Sequence, residues 1–243
     1  KYDYYVFNSH WCYEKFRMRF KVPTNKCTVI KNAVEAFPEK KFERKEKLRL
    51  IYHSTPWRGL NVLLGAMQLV KNKDVELDVY SSTQIYGDQF KSANDDQYKD
   101  LYEQAKSLSN VNYIGYVSND EIRKKLQSYD VYCFPSIWEE TSCISAIESL
   151  AAGLHMVTTN FGALFETCSE WPVYINYTDN YSNLAKHFAY SIDEVASYLY
   201  KGSVPDFLKS QQQFYNKFYS WERRKGEWTN FLQGLLHEKR SKF

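Results

Sequence analysis

Short apolar segments alternate with helical patterns from about residue 47 onward, and this alternation constrains the fold more than any other feature. Five predicted strands cover residues 48–52, 76–81, 111–114, 131–134 and 155–159. Strands that alternate with helices form parallel sheets whose two faces are covered by the helices. We therefore predict an α/β fold, a Rossmann-like doubly wound parallel sheet.

Helices are predicted between these strands. Apolar spacing and helix-end signals predict helices over residues 59–71, 95–108 and 141–152. A fourth helix begins at Ser118, where Ser118 and Glu121 form a capping-box pattern.

The two ends of the chain differ from this central part. The leading residues contain two strand-like segments, 4–7 and 28–30, on either side of a helix over 11–20. Residues 181–239 are predicted to be helical without strands, and the last helix covers about 221–237. We predict one Rossmann-like domain with a C-terminal helical tail, preceded by a piece that belongs to something else.

The composition excludes several classes of protein. Hydrophobic residues make up 44% of the chain and charged residues 25%, which excludes disordered and fibrous proteins. No apolar run reaches the roughly 18 residues of a spanning helix, so no transmembrane segment is predicted. The 32 Lys and Arg exceed the 29 Asp and Glu by only three, and the basic stretches are short, so we predict no nucleic-acid partner.

The five cysteines carry no metal-site pattern. Their number is odd, their spacing is irregular, and no pair has the CxxC spacing of a structural zinc site. Small buried thiols in a reducing compartment are the default for such cysteines. We therefore predict a cytoplasmic protein.

Ligands of open parallel sheets bind beyond the carboxyl ends of the strands, close to helix N-termini. The segments that follow the predicted strands are therefore the places for a site. Four of them stand out: residues 53–59, 81–82, 115–117 and 135–143.

The segment after the fourth strand holds two glutamates eight residues apart, Glu140 and Glu148. Along a helix this spacing is roughly 12 Å, which suits an extended ligand with hydroxyls at both ends and exceeds the separation in retaining glycosidase pairs. Glu140 alone would be an ordinary first-turn acid. Glu148 lies in an otherwise apolar or small stretch, where an unpaired carboxylate is costly. The backbone N–H groups of residues 141–144, at the predicted helix start, suit an anion.

These residues resemble retaining GT-B glycosyltransferases, in particular the large family called family 4. Glu140 and Glu148 form that family's Glu-x7-Glu pattern, within DVYCFPSIWEETSCISAIESLAAGLHMVTTNFGALFE. Phe161, Gly162 and Glu166 fall at the family's Gly-rich loop and the Glu after it. VNYIGYVSNDEI is similar to the segment that holds the nucleotide base. STPWRGLNVLL resembles the Lys-Gly element, with Arg58 at the Lys position before Gly59.

The resemblance covers the chain but only the C-terminal, donor-binding half of a GT-B enzyme. It implies that residues 1–40 are a remnant of the N-terminal domain with the crossover segment, as FNSHW and CTVIKNAVE suggest. Residues 41–200 would be the Rossmann-like domain that binds the nucleotide-sugar. Residues 201–243 would be helices that pack back toward an N-terminal domain, which is supplied in cis or in trans.

The resemblance implies that the enzyme transfers a hexose-type sugar from a UDP-, GDP- or ADP-sugar with retention of configuration. The acceptor, a glycan, lipid or protein, is unknown. Arg58 would bind the diphosphate and neutralise the leaving group, and Glu140 would contact hydroxyls of the transferred sugar. Glu148 would hold the ribose. The remaining donor-binding residues implied are His53, Ser54, Gly59, Tyr116, Val117, Thr141, Ser142, Cys143 and Ile144.

No metal and no cofactor are expected, because cationic side chains and a helix N-terminus serve the phosphates and no DxD motif lies at this pocket.

Two departures from the family matter. His53 stands at a position where the family has Arg, so one positive charge is missing unless the phosphates protonate it. Thr-Ser-Cys at 141–143 replaces the common Gly-Phe-Gly, which preserves backbone donors and alters the pocket shape.

Two other functions remain open. The chain is alternatively a non-catalytic nucleotide-sugar-binding module that needs a partner domain, which the missing half and His53 favour. It is alternatively a sugar-nucleotide epimerase of GT-B architecture.

Cys143 is interpreted as a pocket-wall residue rather than a nucleophile, since no His is close in sequence. For Trp57 and Trp138, stacking on a ligand and packing within their loops are equally supported.

Overall fold

The computed structural model describes residues 2–240, with side chains described to 237. Six strands form one parallel sheet, in the order β5-β4-β3-β6-β7-β8. The strands are β3 (Leu48–His53), β4 (Val75–Tyr80), β5 (Val111–Tyr113), β6 (Val131–Phe134), β7 (His155–Thr159) and β8 (Val173–Ile175). The α/β prediction is thereby confirmed.

Two further strands lie outside this sheet. β1 (Tyr5–Phe7) and β2 (Cys27–Val29) form a separate two-stranded parallel sheet. Helix α1 (His10–Phe20) connects them, so the leading residues form a βαβ unit, as the pattern of two strands around one helix predicts.

Nine more helices follow in the described part of the chain. They are α2 (Leu60–Leu69), α3 (Asp88–Asn94), α4 (Lys99–Ser107), α5 (Asn119–Leu126), α6 (Ile144–Ala151), α7 (Leu164–Cys168), α8 (Tyr181–Tyr198), α9 (Val204–Phe218) and α10 (Trp221–Arg240). The predicted capping box at Ser118 and Glu121 is present at the start of α5. The helical tail is also confirmed as α8, α9 and α10.

The core explains why these segments are strands. Most residues of β3, β4, β6 and β7 are buried, as expected for strands covered by helices on both faces. β8 was not predicted, because a three-residue edge strand carries little periodicity. The predicted helix over 95–108 is shorter, α4, and is preceded by the unpredicted α3.

The strand order contains one point, between β3 and β6, at which the direction of winding changes. The chain runs outward from β3 through β4 to β5, and then returns to the other side of β3 to form β6, β7 and β8. Between β3 and β6 the direction of winding therefore reverses. In open parallel sheets, a crevice at the carboxyl end of such a switch point is where ligands bind.

Candidate functional site

The loops that leave β3 and β6 meet at this switch point, and Gly59 makes their contact possible. Gly59 has φ +107°, and a Cβ built on it would lie 2.0 Å from the carbonyl oxygen of Pro135. No other residue type fits that approach without displacing one of the loops. Gly59 thus brings the preceding Arg58 beside the loop that follows β6.

Arg58 and Glu140 form an ion pair at this place. Arg58 Nη1 lies 2.9 Å from Glu140 Oε1 and 3.1 Å from Oε2, and the hydrogen bond is made to Oε2. Glu140 is only 4% exposed, and its Oε1 accepts no hydrogen bond within the described chain. Burial raises the pKa of Glu140, and the nearby Arg58 only partly offsets that rise. The sequence-predicted pair is therefore brought together, with an incompletely satisfied carboxylate.

Further buried polar atoms without a partner lie at the same edge of the sheet. They belong to Thr55, in the loop after β3, and to Ser81, directly after β4, and Arg58 Nε is also unpaired. Native proteins leave few buried polar atoms unsatisfied, and each such atom calls for an explanation. A polar ligand that enters the crevice would supply the missing partners.

The loop after β6 is held in place by the loop after β7. Ala163 N donates to the carbonyl oxygen of Glu140 at 2.7 Å. Gly162 has φ +64°, and a Cβ on it would lie 2.5 Å from Glu140 N. The backbone around Glu140 is therefore fixed by close packing, so the position of its carboxylate depends on Gly162.

Helix α6 begins at Ile144, three residues later than the predicted helix over 141–152. Cys143 adopts a left-handed conformation, with φ 65° and ψ 85°, and precedes the helix as its cap residue. Thr141 and Ser142 therefore lie in the loop, directly after Glu139 and Glu140, whose backbone packs against Gly162. The amides at the helix N-terminus are consequently those of Ile144 and the residues after it, and not those of 141–143.

Glu148 lies in the second turn of α6 and is 4% exposed. Its Oε1 accepts hydrogen bonds from Arg123 Nη1 at 2.8 Å and from Asn119 Nδ2 at 3.3 Å. Arg123 was not identified from the sequence, although Asn119 and Arg123 are four residues apart on α5 and so share one helix face. Arg123 also donates to the carbonyl oxygen of Glu35 and lies over the ring of Phe37.

His53 ends β3 and is buried beneath α6. Its Nε2 lies 2.7 Å from Ser149 Oγ, and Tyr132 on β6 is similarly bonded to Ser145. Burial lowers the pKa of His53 to about 3, so it carries no charge at neutral pH. His53 therefore does not replace the positive charge of the Arg that the resemblance places at this position.

The other sequence-predicted site residues lie in the loops that follow the strands of the sheet. Ser54 follows β3, and Tyr116 and Val117 lie in the loop after β5, with Tyr116 exposed. Thr141 Oγ1 accepts a hydrogen bond from Asn8 of the leading unit. Burial raises the pKa of the Cys143 thiol to about 12, which agrees with its interpretation as a pocket-wall residue.

Glu166 connects the leading βαβ unit to the main domain. Its two carboxylate oxygens accept from the first two amides of α1, His10 N at 2.9 Å and Trp11 N at 2.8 Å, and Lys31 forms an ion pair with it. Burial alone would raise the pKa of Glu166, but the hydrogen bonds from Lys31 and the two amides outweigh it and lower the pKa. The contact between Glu166 and Trp11 joins residues 155 positions apart, so no local sequence pattern predicts it.

Over the described residues, no His, Cys, Asp and Glu side chains gather in a group of three suited to a metal ion. None of the described helices has the length and apolarity to cross a bilayer. All five cysteines lie in the described part and are free thiols, four of them buried.

Comparison with known proteins identifies the family of this chain and finds solved structures with a similar fold. The family model for Glycosyl transferases group 1 matches residues 33–194. An uncharacterized 41.2 kDa protein in the cps region of Klebsiella pneumoniae is 27% identical over 169 residues, which are 69% of this chain and 46% of that protein.

Three solved structures illustrate the similarity in fold. A glycosyltransferase from Rickettsia africae matches with a TM-score of 0.76 and 18% identity, over 96% of this chain and 64% of its own. HepE from Anabaena, in complex with UDP-glucose, matches with a TM-score of 0.72 and 14% identity, over 96% and 64%. The pneumococcal O-GlcNAc transferase GtfA, in complex with UDP and GlcNAc, gives 0.69 and 12%, over 97% and 46%. This chain thus spans about half to two thirds of these relatives.

Proposed function

The chain belongs to the group 1 glycosyl transferases, the retaining GT-B type called family 4, and from that premise we propose that it is the donor-binding half of a hexosyltransferase that uses a UDP-sugar. The observation that carries the proposal is the Arg58–Glu140 pair at the switch point, with its unsatisfied buried atoms. The choice of UDP follows the UDP and UDP-glucose complexes of GtfA and HepE.

In the proposed mechanism, Arg58 leaves Glu140 and binds the diphosphate. There its guanidinium neutralises the negative charge that develops as the bond from the anomeric carbon to the diphosphate breaks. Glu140, released from Arg58, accepts hydrogen bonds from hydroxyls of the transferred sugar. Because the carboxylate is buried and its Oε1 accepts no hydrogen bond from the described residues, a sugar hydroxyl would give that oxygen a donor.

Glu148 is assigned to the ribose. Arg123 and Asn119 both donate to Oε1, which fixes the carboxylate and assigns Oε2 to a ribose hydroxyl. The amides of Ile144 and the residues after it, at the N-terminus of α6, face the phosphates in this proposal, and the loop backbone of Ser142 and Cys143 lines the sugar. Tyr116 and Val117 border the base, and Ser54 and the neutral His53 lie beneath the phosphates.

The leading βαβ unit supports the need for a partner N-terminal domain, in cis or in trans. A two-stranded parallel sheet is marginal by itself. Around it the chain exposes Val6, Phe16, Met18 and Phe20, and a groove of about 740 Å³ opens beside it. We infer that a further domain covers this apolar face. The acceptor of the sugar stays unassigned in this part of the proposal.

Nucleotide binding tests the proposed function. UDP, GDP and ADP are titrated by calorimetry into the wild-type chain, the Glu148→Ala variant and Glu170→Ala, a control that removes an exposed glutamate. We expect UDP to bind wild type and Glu170→Ala equally, and Glu148→Ala at least about ten-fold more weakly. A wild-type chain that binds none of the three nucleotides contradicts the proposal.

A second candidate is a nucleotide-sugar-binding module without catalysis of its own. It is favoured by the neutral state of His53, which leaves one fewer positive charge for a diphosphate. Hydrolysis of UDP-glucose separates the two candidates. Release of glucose by the chain, lost in Arg58→Met, supports the enzyme, and binding without turnover supports the module.

A further inference from the structure

Arg123 connects the candidate site to a part of the chain outside it. Its guanidinium donates from Nη1 to Glu148 Oε1 at 2.8 Å and from Nη2 to the carbonyl oxygen of Glu35 at 3.0 Å. The guanidinium carbon also lies 4.5 Å from the ring centroid of Phe37. Because the guanidinium is a rigid plane, the contacts on one side determine the direction in which the other side donates. The position of the Glu148 carboxylate therefore depends on Glu35 and Phe37.

The anchor of the guanidinium lies between β2 and β3, in residues 33–38, which we call the connecting segment. Asn216 on α9 bonds the backbone of Phe37 in both directions, as acceptor from its N–H at 2.9 Å and as donor to its carbonyl oxygen at 3.1 Å. Val34 N donates to the carbonyl oxygen of Tyr219, directly after α9, at 2.8 Å. The connecting segment is thus held in place by α9 and the residue that follows it.

The two arginine–glutamate pairs of the candidate site differ in this respect. Arg58 bonds to Glu140 through Nη1, and its Nε has no partner among the described residues. Arg123 donates both to Glu148 and to the connecting segment, and its side chain is only 15% exposed. The proposed mechanism needs Arg58 to leave its glutamate, whereas it needs Glu148 to stay in place for the ribose. The anchoring of Arg123 suits the second requirement.

We propose that Arg123 is a positioning residue for the ribose, and that the connecting segment, acting through Arg123, sets the selectivity of the site for ribonucleotides over 2′-deoxyribonucleotides. The inference rests on the proposed function, in which Glu148 binds the ribose. Arg123 itself touches no part of the nucleotide. Because Arg123 holds Oε1, Glu148 presents Oε2 in one direction, and a ribose hydroxyl placed there donates a hydrogen bond that a deoxyribose lacks.

Calorimetry with UDP and 2′-deoxy-UDP measures this selectivity as the ratio of the two dissociation constants. The proteins are wild type, Arg123→Met, Arg123→Lys and Lys124→Met, a control that removes an exposed cation at the next position of α5. We expect wild type and Lys124→Met to prefer UDP by at least about ten-fold. In Arg123→Met the ratio should fall to about two or less, because the carboxylate is no longer held in one direction. Arg123→Lys keeps a charge beside Glu148 without the second hydrogen bond, so its ratio should be close to that of Arg123→Met.

Phe37→Leu tests the anchor without a change to Arg123 or Glu148. It removes the ring beside the guanidinium, and we expect the selectivity to fall at least about three-fold while UDP still binds. The matched control is Phe42→Leu, which removes a second partly buried ring that packs on the core and lies under the cation of Lys40. Its selectivity should equal that of wild type. Chemical denaturation of both variants compares their free energies of unfolding.

The outcomes distinguish this inference from the proposed function. Folded variants of Arg123 and Phe37 that select UDP like wild type overturn the inference and leave the UDP site in place. Wild-type selectivity in Arg123→Lys alone also overturns it, since a charge beside Glu148 would then suffice. A wild-type chain that binds UDP and 2′-deoxy-UDP equally contradicts the ribose role of Glu148 and overturns the inference. A wild-type chain that binds neither nucleotide contradicts the proposed function itself, and the inference with it.

Discussion

Glu140 is buried and Glu166 is partly buried, and both carboxylates form an ion pair with a cation, but they differ in how many hydrogen bonds they accept. Glu166 accepts from two backbone amides at 2.9 and 2.8 Å as well as from Lys31, and its pKa is lowered. Glu140 has one aligned hydrogen bond, from Arg58, and an Oε1 without any, and its pKa is raised. The folded surroundings thus favour the charged form of Glu166 and disfavour the charged form of Glu140.

This difference is the one expected between a structural role for Glu166 and the ligand-binding role proposed for Glu140. Glu166 caps α1 and attaches the leading unit to the main domain, so its surroundings are complete without a ligand. Glu140 retains a buried charge with too few donors, which lowers stability unless a ligand supplies them. Sites that await a polar ligand show this kind of local conflict, and structural contacts do not.

Gly162→Ala should have the largest effect, because Gly162 packs directly against the backbone of Glu139 and Glu140. A Cβ there would lie 2.5 Å from Glu140 N at φ +64°, so we expect a loss of about 3 kcal/mol in the free energy of unfolding. Gly202→Ala is the matched control, with φ +56° and open space around it, and should lose about 1 kcal/mol. Chemical denaturation measures both. Equal losses would show that contact with Glu140 is unimportant.

Glu166→Ala should come next, with a loss of about 2 kcal/mol in the free energy of unfolding, since it removes the acceptor of two amides and the partner of Lys31. The loss should be concentrated in the leading unit. Hydrogen exchange of the α1 amides is therefore expected to accelerate far more than exchange in β6 or β7. Glu170→Ala removes an exposed glutamate close by in sequence, and it should change neither the free energy of unfolding nor the hydrogen exchange of the α1 amides. Uniform acceleration across the chain would refute a local junction role.

Glu140→Gln should leave stability within about 1 kcal/mol of wild type, because the amide removes the burial cost of a charge while it leaves Arg58 unpaired. UDP should bind at least as tightly as to wild type, since Arg58 is freed for the diphosphate. UDP-glucose should lose the added affinity that the sugar gives over UDP, by about ten-fold. Calorimetry measures the affinity of the variant for both ligands. If the variant binds UDP more weakly than wild type but keeps the full gain in affinity from UDP to UDP-glucose, Glu140 acts on the diphosphate and not on the sugar.

The two carboxylates should also respond to pH with opposite sign. Glu140 has a raised pKa in the folded state, so its stabilising contribution is present below the ordinary carboxyl pKa and is lost as pH rises through the folded value. Glu166 has a lowered pKa, so its contribution is present above the ordinary value and is lost as pH falls through the folded one.

Denaturation of wild type, Glu140→Gln and Glu166→Gln at a series of acidic pH values measures this contrast. As pH falls, wild type should gain stability relative to Glu140→Gln and lose it relative to Glu166→Gln. Two difference curves of the same slope would mean that both carboxylates are equally satisfied in the folded chain, and the comparison between them would fail.

Much of the fold could be predicted from the sequence because its signals are local. Apolar strand segments, the capping box at Ser118 and the spacing of Glu140 and Glu148 each depend on a few neighbouring residues. The contacts that complete the site are not local. Arg123 meets Glu148 across two helices, and Glu166 meets α1 across more than 150 positions, so neither partner is visible in either segment alone.

The start of α6 shows the same limit. The sequence pattern predicts a helix from residue 141, but α6 begins at Ile144, after Cys143 in a left-handed conformation that no local pattern reveals. The neutral state of His53 likewise depends on its burial beneath Ser149, which no pattern in the strand before it reveals.

The smallest effect is expected at Cys143, where the loop of Glu140 enters α6 with φ 65°. At this left-handed position glycine avoids the steric cost of a Cβ, while alanine retains it and loses the contact of the thiol with Ser145 at 3.3 Å. Cys143→Gly should therefore lie within about 1 kcal/mol of wild type and be more stable than Cys143→Ala. At Cys133, within strand β6, the order should be the reverse, because glycine weakens an ordinary strand. Thermal unfolding of the four variants measures both orders. If alanine is favoured at both cysteines, the loop of Glu140 holds no backbone strain, and its incompletely bonded carboxylate would be the one local conflict described for that loop.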